Sequence, residues 1–358
     1  MIFERNPILR SGNSMENIII PFIISAAISL LITPIVKRIA IICGAVDVPK
    51  DDRRIHKRPM PSMGGLAIYI SVIVVSLIFI PMGKELFATI AGGTIILISG
   101  MIDDIRGLSP RGKLLFQVVA AIVLILGDVR ILGITNPFSK TLEIIPLNNL
   151  SIPITIFWVV GITNTLNLID GLDGLAAGVT MIASLSFLLV ANRFGYISII
   201  IMSATVAGAC LGFLPYNFNP ATIFMGDTGA LFLGFILSSL SIEGVMKSVA
   251  TIAIVVPILI LGVPIFDTTL AIFRRLLSGR SIAEADDGHL HHKLLRMGYS
   301  QKETVIILYL ISGIFGLFAT LIARINTKGA VILATMVLII ALLLANEIGL
   351  IGSEDYRK

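Results

Sequence analysis

Residues 18–42 read IIIPFIISAAISLLITPIVKRIAII. The first charge in this run is Lys37. A helix needs about 20 apolar residues to cross the roughly 30 Å hydrocarbon core of a bilayer, and this stretch supplies them. No Ala-x-Ala cleavage pattern precedes a short apolar core. The run therefore reads as a retained span and not as a removed signal peptide.

The rest of the chain repeats the pattern. Of 358 residues, 56% are hydrophobic and 14% charged, with mean hydropathy +0.98. A soluble domain cannot hide that much apolar surface, whereas lipid tails can replace the water such side chains avoid. Eleven runs are read as spans: 18–42, 64–82, 86–102, 114–127, 152–168, 175–191, 196–214, 229–246, 249–273, 303–323 and 329–350. All are expected to be helices, because an open sheet leaves backbone groups unsatisfied in lipid. The expected fold is an all-α polytopic membrane protein with about 11 transmembrane helices. Its organisation is read as a short external segment (1–17), one transmembrane catalytic domain (18–350) and a cytoplasmic tail (351–358).

Charge orients the bundle. With the N-terminus outside, the inside loops and tail carry 18 of the 27 Lys and Arg residues, so the positive-inside rule favours N-out and C-in. The stretch 128–150 then lies outside, and the alternation in KTLEIIPL points to a small external β-hairpin. A net charge of +5, scattered over loops, gives no nucleic-acid patch. Cys43 and Cys210 have no partners at ligand or disulfide-framework spacing.

The acids are the informative residues, since ionisable groups at membrane depth are costly. Asp103 and Asp104 end the third run, Asp170 and Asp173 end the fifth, and Asp227 precedes the eighth. A topology counted from Lys and Arg alone sends all of them to the cytoplasmic side. Asp267 lies deeper, near Arg274, where a structural ion pair competes with a catalytic role. Asn164, Asn167 and Asp170 recur every three residues and share one helical face. Gly171 and Gly174 then unwind the helix and bring backbone near a ligand. Such carboxylate and amide oxygens suit Mg²⁺. The turn FMGDTG adds Asp227 before a helix N-terminus that would favour an anion such as diphosphate. His289, His291 and His292 form a tight cluster. No Cys is near enough for zinc, so imidazoles facing phosphate oxygens are expected. The glycines of MGGLAIYISVIVVSLIF read as helix-packing positions. No Walker loop, His-Glu-x-x-His or Gly-x-Ser-x-Gly motif is present.

Five motifs in order, PMPSMGG (59–65), GMIDDIRGLS (100–109), NTLNLIDGLDGLAAG (164–178), YNFNPATIFMGDTG (216–229) and HLHH (289–292), resemble the polyprenyl-phosphate N-acetylhexosamine-1-phosphate transferases, glycosyltransferase family 4. The last loop, HLHHKLLRMGYSQKETV, lacks a three-His run, and the eleventh span adds to the likeness to the WecA- and TagO-like branch, related to the muramoyl-pentapeptide branch (MraY). The resemblance implies transfer of N-acetylglucosamine-1-phosphate from UDP-N-acetylglucosamine to undecaprenyl phosphate. UMP would be released, and a cell-wall or surface glycan such as teichoic acid or lipopolysaccharide initiated. It implies Mg²⁺, with Mn²⁺ as a substitute, held by Asp227 and Asn167. Asp103, Asp104, Asp170, Asp173, His289, His291 and His292 would be catalytic. Lys57, Asn164, Gly171, Leu172, Asn217, Phe224, Arg274, Arg275 and Arg280 would bind substrate. The setting would be the bacterial inner membrane, with the active site cytoplasmic and a homodimer as one option. A membrane transporter is the alternative from another class. It is disfavoured because the acids gather at one face and the halves show no repeat.

Overall fold

The computed structural model describes residues 16–48, 59–135, 144–247, 254–277, 279, 288–325 and 327–347. Thirteen α-helices and two short antiparallel strand pairs make up these residues. The helices are α1 (Glu16–Cys43), α2 (Gly65–Phe79), α3 (Lys84–Arg106), α4 (Pro110–Leu126), α5 (Ser151–Ile169), α6 (Leu175–Phe194) and α7 (Ile197–Asn217). They continue with α8 (Gly226–Lys247), α9 (Val255–Ile260), α10 (Gly262–Leu277), α11 (Leu290–Arg296), α12 (Gln301–Ile322) and α13 (Thr327–Glu347). Seven of the described helices are long and apolar enough to cross a membrane. The chain is an all-α polytopic membrane protein.

Each apolar run has its helix, with two departures. The ninth run is not one continuous helix: α9 ends at Ile260 and α10 begins at Gly262. The loop that follows carries an additional short helix, α11, which periodicity alone did not show. The stretch 128–150 does hold a hairpin: β3 (Gly133–Thr135) pairs with β4 (Ile144–Pro146) in the register Ile134 opposite Ile145. A second pair joins β1 (Val46–Asp47) to β2 (Met60–Pro61). The expected terminal segments lie almost wholly outside the described residues.

Helix α8 is the centre of the bundle and packs against α2, α3, α5, α6 and α7. Its side chains from Ala230 to Ile242 are buried on all sides. A helix apolar all round belongs in such a place. Small residues let its neighbours approach. A Cβ on Gly65 would lie 2.0 Å from Gly229 Cα, and one on Gly100 would lie 2.4 Å from Thr228 Cα. Gly208 and Gly212, four residues apart, do the same for α7 against α1, where a Cβ would meet Phe22 O and Ala26 O at 2.1 Å. These close crossings are the membrane mode of helix association. Hydroxyls add interhelical bonds, as where Ser25 Oγ donates to Thr205 O at 2.7 Å. In contrast, α13 leaves most of its apolar side chains exposed, as expected for a helix in lipid.

Candidate active site

Five helix junctions open into one cavity of about 920 Å³. They are the α1–α2 connection, the α3–α4 turn, the α5–α6 turn, the α7–α8 loop and the α11–α12 region. Alternation of the helices across the bundle puts these junctions at one end. That placement gathers acids 124 residues apart in sequence (Asp103 to Asp227).

Asp103 and Asp104 occupy the last turn of α3 but serve differently. Asp103 Oδ1 accepts from Leu108 N at 2.7 Å, and its Oδ2 lies 2.9 Å from Lys113 Nζ. Asp104 turns toward α8. Its Oδ1 accepts from Ser62 Oγ (3.0 Å) and Asp227 N (3.1 Å), and its Oδ2 accepts from Thr228 N (3.1 Å) and Thr228 Oγ1 (2.6 Å). The helix N-terminus that begins within FMGDTG therefore holds an anion, which the dipole favours. That anion is the protein's own Asp104, which corrects the expectation that these amides greet diphosphate. The turn also demands a glycine: Gly226 has φ +70°, and a Cβ there would lie 2.3 Å from Asp104 Oδ2.

Asp227 carries two contacts. Its Oδ2 lies 2.5 Å from Lys113 Nζ, and its Oδ1 accepts from Asn167 Nδ2 at 2.9 Å. Lys113 thus bridges Asp103 and Asp227. Lys113 lies outside the five motifs, yet the sequence carries one signal of it. Arg111 and Lys113 stand in the first turn of α4, which has no acid, and cations at that end oppose the helix dipole.

Helix α5 ends as its glycines predict, with Asp170 as C-cap at ψ 48°. Asp170 and Asn167 both line the cavity. Burial, followed by the Asp227, Asp104 and Asp173 carboxylates, pushes the Asp170 carboxyl up to about 8. Asn164, on the same face one turn earlier, is not at the cavity. Its amide exchanges bonds with Gln117, at 2.7 and 3.1 Å. Gly171 is approached closely, but by His291: a Cβ would lie 2.8 Å from His291 Nε2. Gly174, at φ +80°, is the left-handed N-cap of α6. Asp173 Oδ2 accepts from Asn219 Nδ2 and Ala221 N, both at 3.0 Å, and so shapes the α7–α8 loop. Asn217 Oδ1 accepts from Gly174 N at 3.1 Å. Leu172, Asn217 and Phe224 line the cavity beside Asp173.

Of the histidines, His291 and His292 line the cavity and His289 does not. Burial and the neighbouring His292 hold His291 down to about 3, so it is neutral. Its Nδ1 is buried and has no hydrogen-bond partner among the described residues. His289 Nδ1 bonds Asp267 Oδ2 at 2.8 Å. Arg274 and Arg275 do not line the cavity. Lys57 and Arg280 lie outside the described residues. Ser62, Asn219 and Gln301, which the sequence did not single out, line the cavity.

Among the described residues no three His, Cys, Asp or Glu side chains form a cage. Mg²⁺ does not need one, since it binds through one or two carboxylates with water and substrate phosphates. The Lys113 ammonium between Asp103 and Asp227 shows that this spot already attracts a cation. Asp227 and Asn167 carry the oxygen donor types that such an ion takes, with Asp227 Oδ2 on Lys113 and Oδ1 on Asn167 Nδ2 in this structure.

Comparison with known proteins follows the same lines. The family described as glycosyl transferase family 4 matches residues 86–245. A probable undecaprenyl-phosphate N-acetylglucosaminyl 1-phosphate transferase of Bacillus subtilis is 42% identical over 341 residues, covering 95% of this chain and 94% of that protein. A decaprenyl-phosphate N-acetylglucosaminephosphotransferase of Mycobacterium leprae is 32% identical, covering 94% and 91%. A phospho-N-acetylmuramoyl-pentapeptide-transferase of Staphylococcus aureus is 35% identical over 297 residues, covering 73% and 85%.

Proposed function

This chain belongs to glycosyl transferase family 4, the polyprenyl-phosphate N-acetylhexosamine-1-phosphate transferases, and on that premise we propose that it moves N-acetylglucosamine-1-phosphate from UDP-N-acetylglucosamine to undecaprenyl phosphate. The observation that carries this reading is the convergence of all five motifs on one cavity at one end of the bundle. The likeness at 42% to the Bacillus protein supports the sugar, as it extends over more of this chain than the likeness to the pentapeptide transferase.

A lipid phosphate oxygen attacks the β-phosphorus of the UDP-sugar. The new P–O bond forms as the bond to the UMP oxygen breaks, and UMP departs with the electron pair. The lipid phosphate is largely dianionic at neutral pH, since its second pKa is about 6. It needs no strong base. The task is to bring two anions together, so positioning and electrostatics dominate. Asp227 and Asn167 would hold Mg²⁺, which supplies charge neutralisation at the diphosphate. Lys113 places a cation between Asp103 and Asp227. His291 and His292, which line the cavity, present imidazoles toward the diphosphate or the sugar. Leu172, Asp173, Asn217 and Phe224 form the wall suited to the nucleoside, with Phe224 as its aromatic face. The cavity opens to the cytoplasm, with N-out and C-in orientation in the bacterial inner membrane, on the charge bias of the loops.

The test is direct. Purified protein is incubated with Mg²⁺, undecaprenyl phosphate and a panel of UDP-sugars, and UMP is measured. Release with UDP-N-acetylglucosamine is expected. Equal turnover of the muramoyl-pentapeptide nucleotide would remove the proposed specificity, and release from no UDP-sugar would remove the reaction itself.

A further inference from the structure

Asp267 stands apart from the acids of the cavity. It lies on α10, is 4% exposed, and does not line the site. Both of its oxygens are nevertheless engaged. Oδ2 bonds His289 Nδ1 at 2.8 Å, and Oδ1 accepts from Leu290 N at 2.7 Å. Leu290 is the first residue of α11, and His289 is its N-cap, with no capping bond from its own side chain. The usual cap accepts first-turn amides from within its own segment. Here a carboxylate from another helix does that work.

Helix α11 spans seven residues. A helix that short does not persist on backbone bonds alone. Its position matters, because the next residues are the two histidines of the cavity. His291 stacks at 9° and 5.8 Å on the ring of His289, and its ring lies 4.2 Å from that of His292. On its other side, His291 is pressed against Gly171, in the turn that carries Asp170. A continuous path of contacts therefore runs from Asp267 through His289 to His291 and the Asp170 turn. An acceptor-only carboxylate at Oδ2 also requires the hydrogen on Nδ1 of His289, which fixes its tautomer.

We propose that Asp267 and His289 form a clamp that positions α11, so that His289 acts through the fold while His291 and His292 face the substrate. This divides the HLHH segment by role. His289 is a positioning residue and Asp267 is its anchor. Neither touches the reacting atoms. For its activity measurement alone, the inference rests on the transferase reading above.

The test uses the full chain in lipid nanodiscs with four variants: Asp267→Ala, His289→Ala, the double variant and Asp267→Asn. Hydrogen exchange is followed at the amides of residues 290–296, and kcat/KM is followed by UMP release. Loss of the clamp displaces a cavity group by a fraction of a helix radius, on the scale where about 100-fold in rate is lost. Each alanine variant should lose about that much, and the double variant no more than either alone, since one clamp is removed once. Exchange protection should vanish over 290–296 in all three and persist in α5 and α8. Asp267→Asn keeps an acceptor for Leu290 N and turns a donor toward Nδ1, so it should restore protection and most activity. Three results would overturn the proposal: multiplicative losses in the double variant, unchanged protection of 290–296, or a lowered Tm with wild-type turnover per folded molecule. If the wild type releases no UMP from any UDP-sugar, the transferase reading fails, while the exchange measurement still decides the clamp.

Discussion

Replacing Asp104 by Asn separates a fastening role from a chemical one. Asp104 accepts four hydrogen bonds, two at each oxygen. An asparagine seated with its carbonyl at Oδ1 keeps the bonds from Ser62 Oγ and Asp227 N. Its amide nitrogen then faces Thr228. The Thr228 hydroxyl can rotate to accept, but the Thr228 N–H cannot, and Thr228 is fully buried. One charge-assisted bond is lost and one amide is stranded, which together cost about 2–4 kcal/mol. The Tm in detergent should fall by several degrees, on the order of 5 °C. The first turn of α8 carries Asp227, so the site loosens as well, and UMP release per folded molecule should fall about 100-fold. Asp104→Ala strands all four donors and should be worse on both measures. A variant with wild-type Tm and no turnover would refute this reasoning, because it would place Asp104 on the substrate and not on α8.

Asp227→Asn should abolish UMP release by several orders of magnitude, on the scale of losing a main charge-stabilising group, with Tm little changed; near-normal Mg²⁺-dependent turnover would move the metal elsewhere. Lys113→Met removes the cation seated between Asp103 and Asp227, so Mn²⁺, followed by electron paramagnetic resonance without substrate, should bind more tightly than to the wild type; weaker binding would contradict direct competition. Gly171→Ala should cut turnover while leaving the fold intact, since its methyl would press on His291, and exchange at 290–296 should rise. In a background lacking Cys43 and Cys210, a cysteine at Gly83 should react with an impermeant reagent in intact cells and one at Ser278 should not; the reverse pattern would invert the topology.

Much of this protein was legible in the chain itself. Apolar runs such as 18–42 dictate helices because lipid offers backbone groups no other partner, and among the described residues each run has its helix, the ninth as two. Gly171 and Gly174 announced the end of α5, and the hairpin within 128–150 followed from alternation. The acids of GMIDDIRGLS, NLIDGLDG and FMGDTG stood out because such groups are costly in a membrane protein, and they line one cavity. What the sequence could not decide was which acid does what, because that depends on partners brought from other helices. Asp103 and Asp104 are adjacent and chemically identical, yet one meets Lys113 and the other fastens α8. Asn164 and Asn167 share a helix face, yet one meets Gln117 and the other Asp227. His289 and His291 lie two residues apart, yet one is bound to Asp267 and the other opens on the cavity. Composition and period place most of the long helices, whereas the role of a polar side chain is set by whatever donor or acceptor lies within about 3 Å of it, and only the packed bundle determines that.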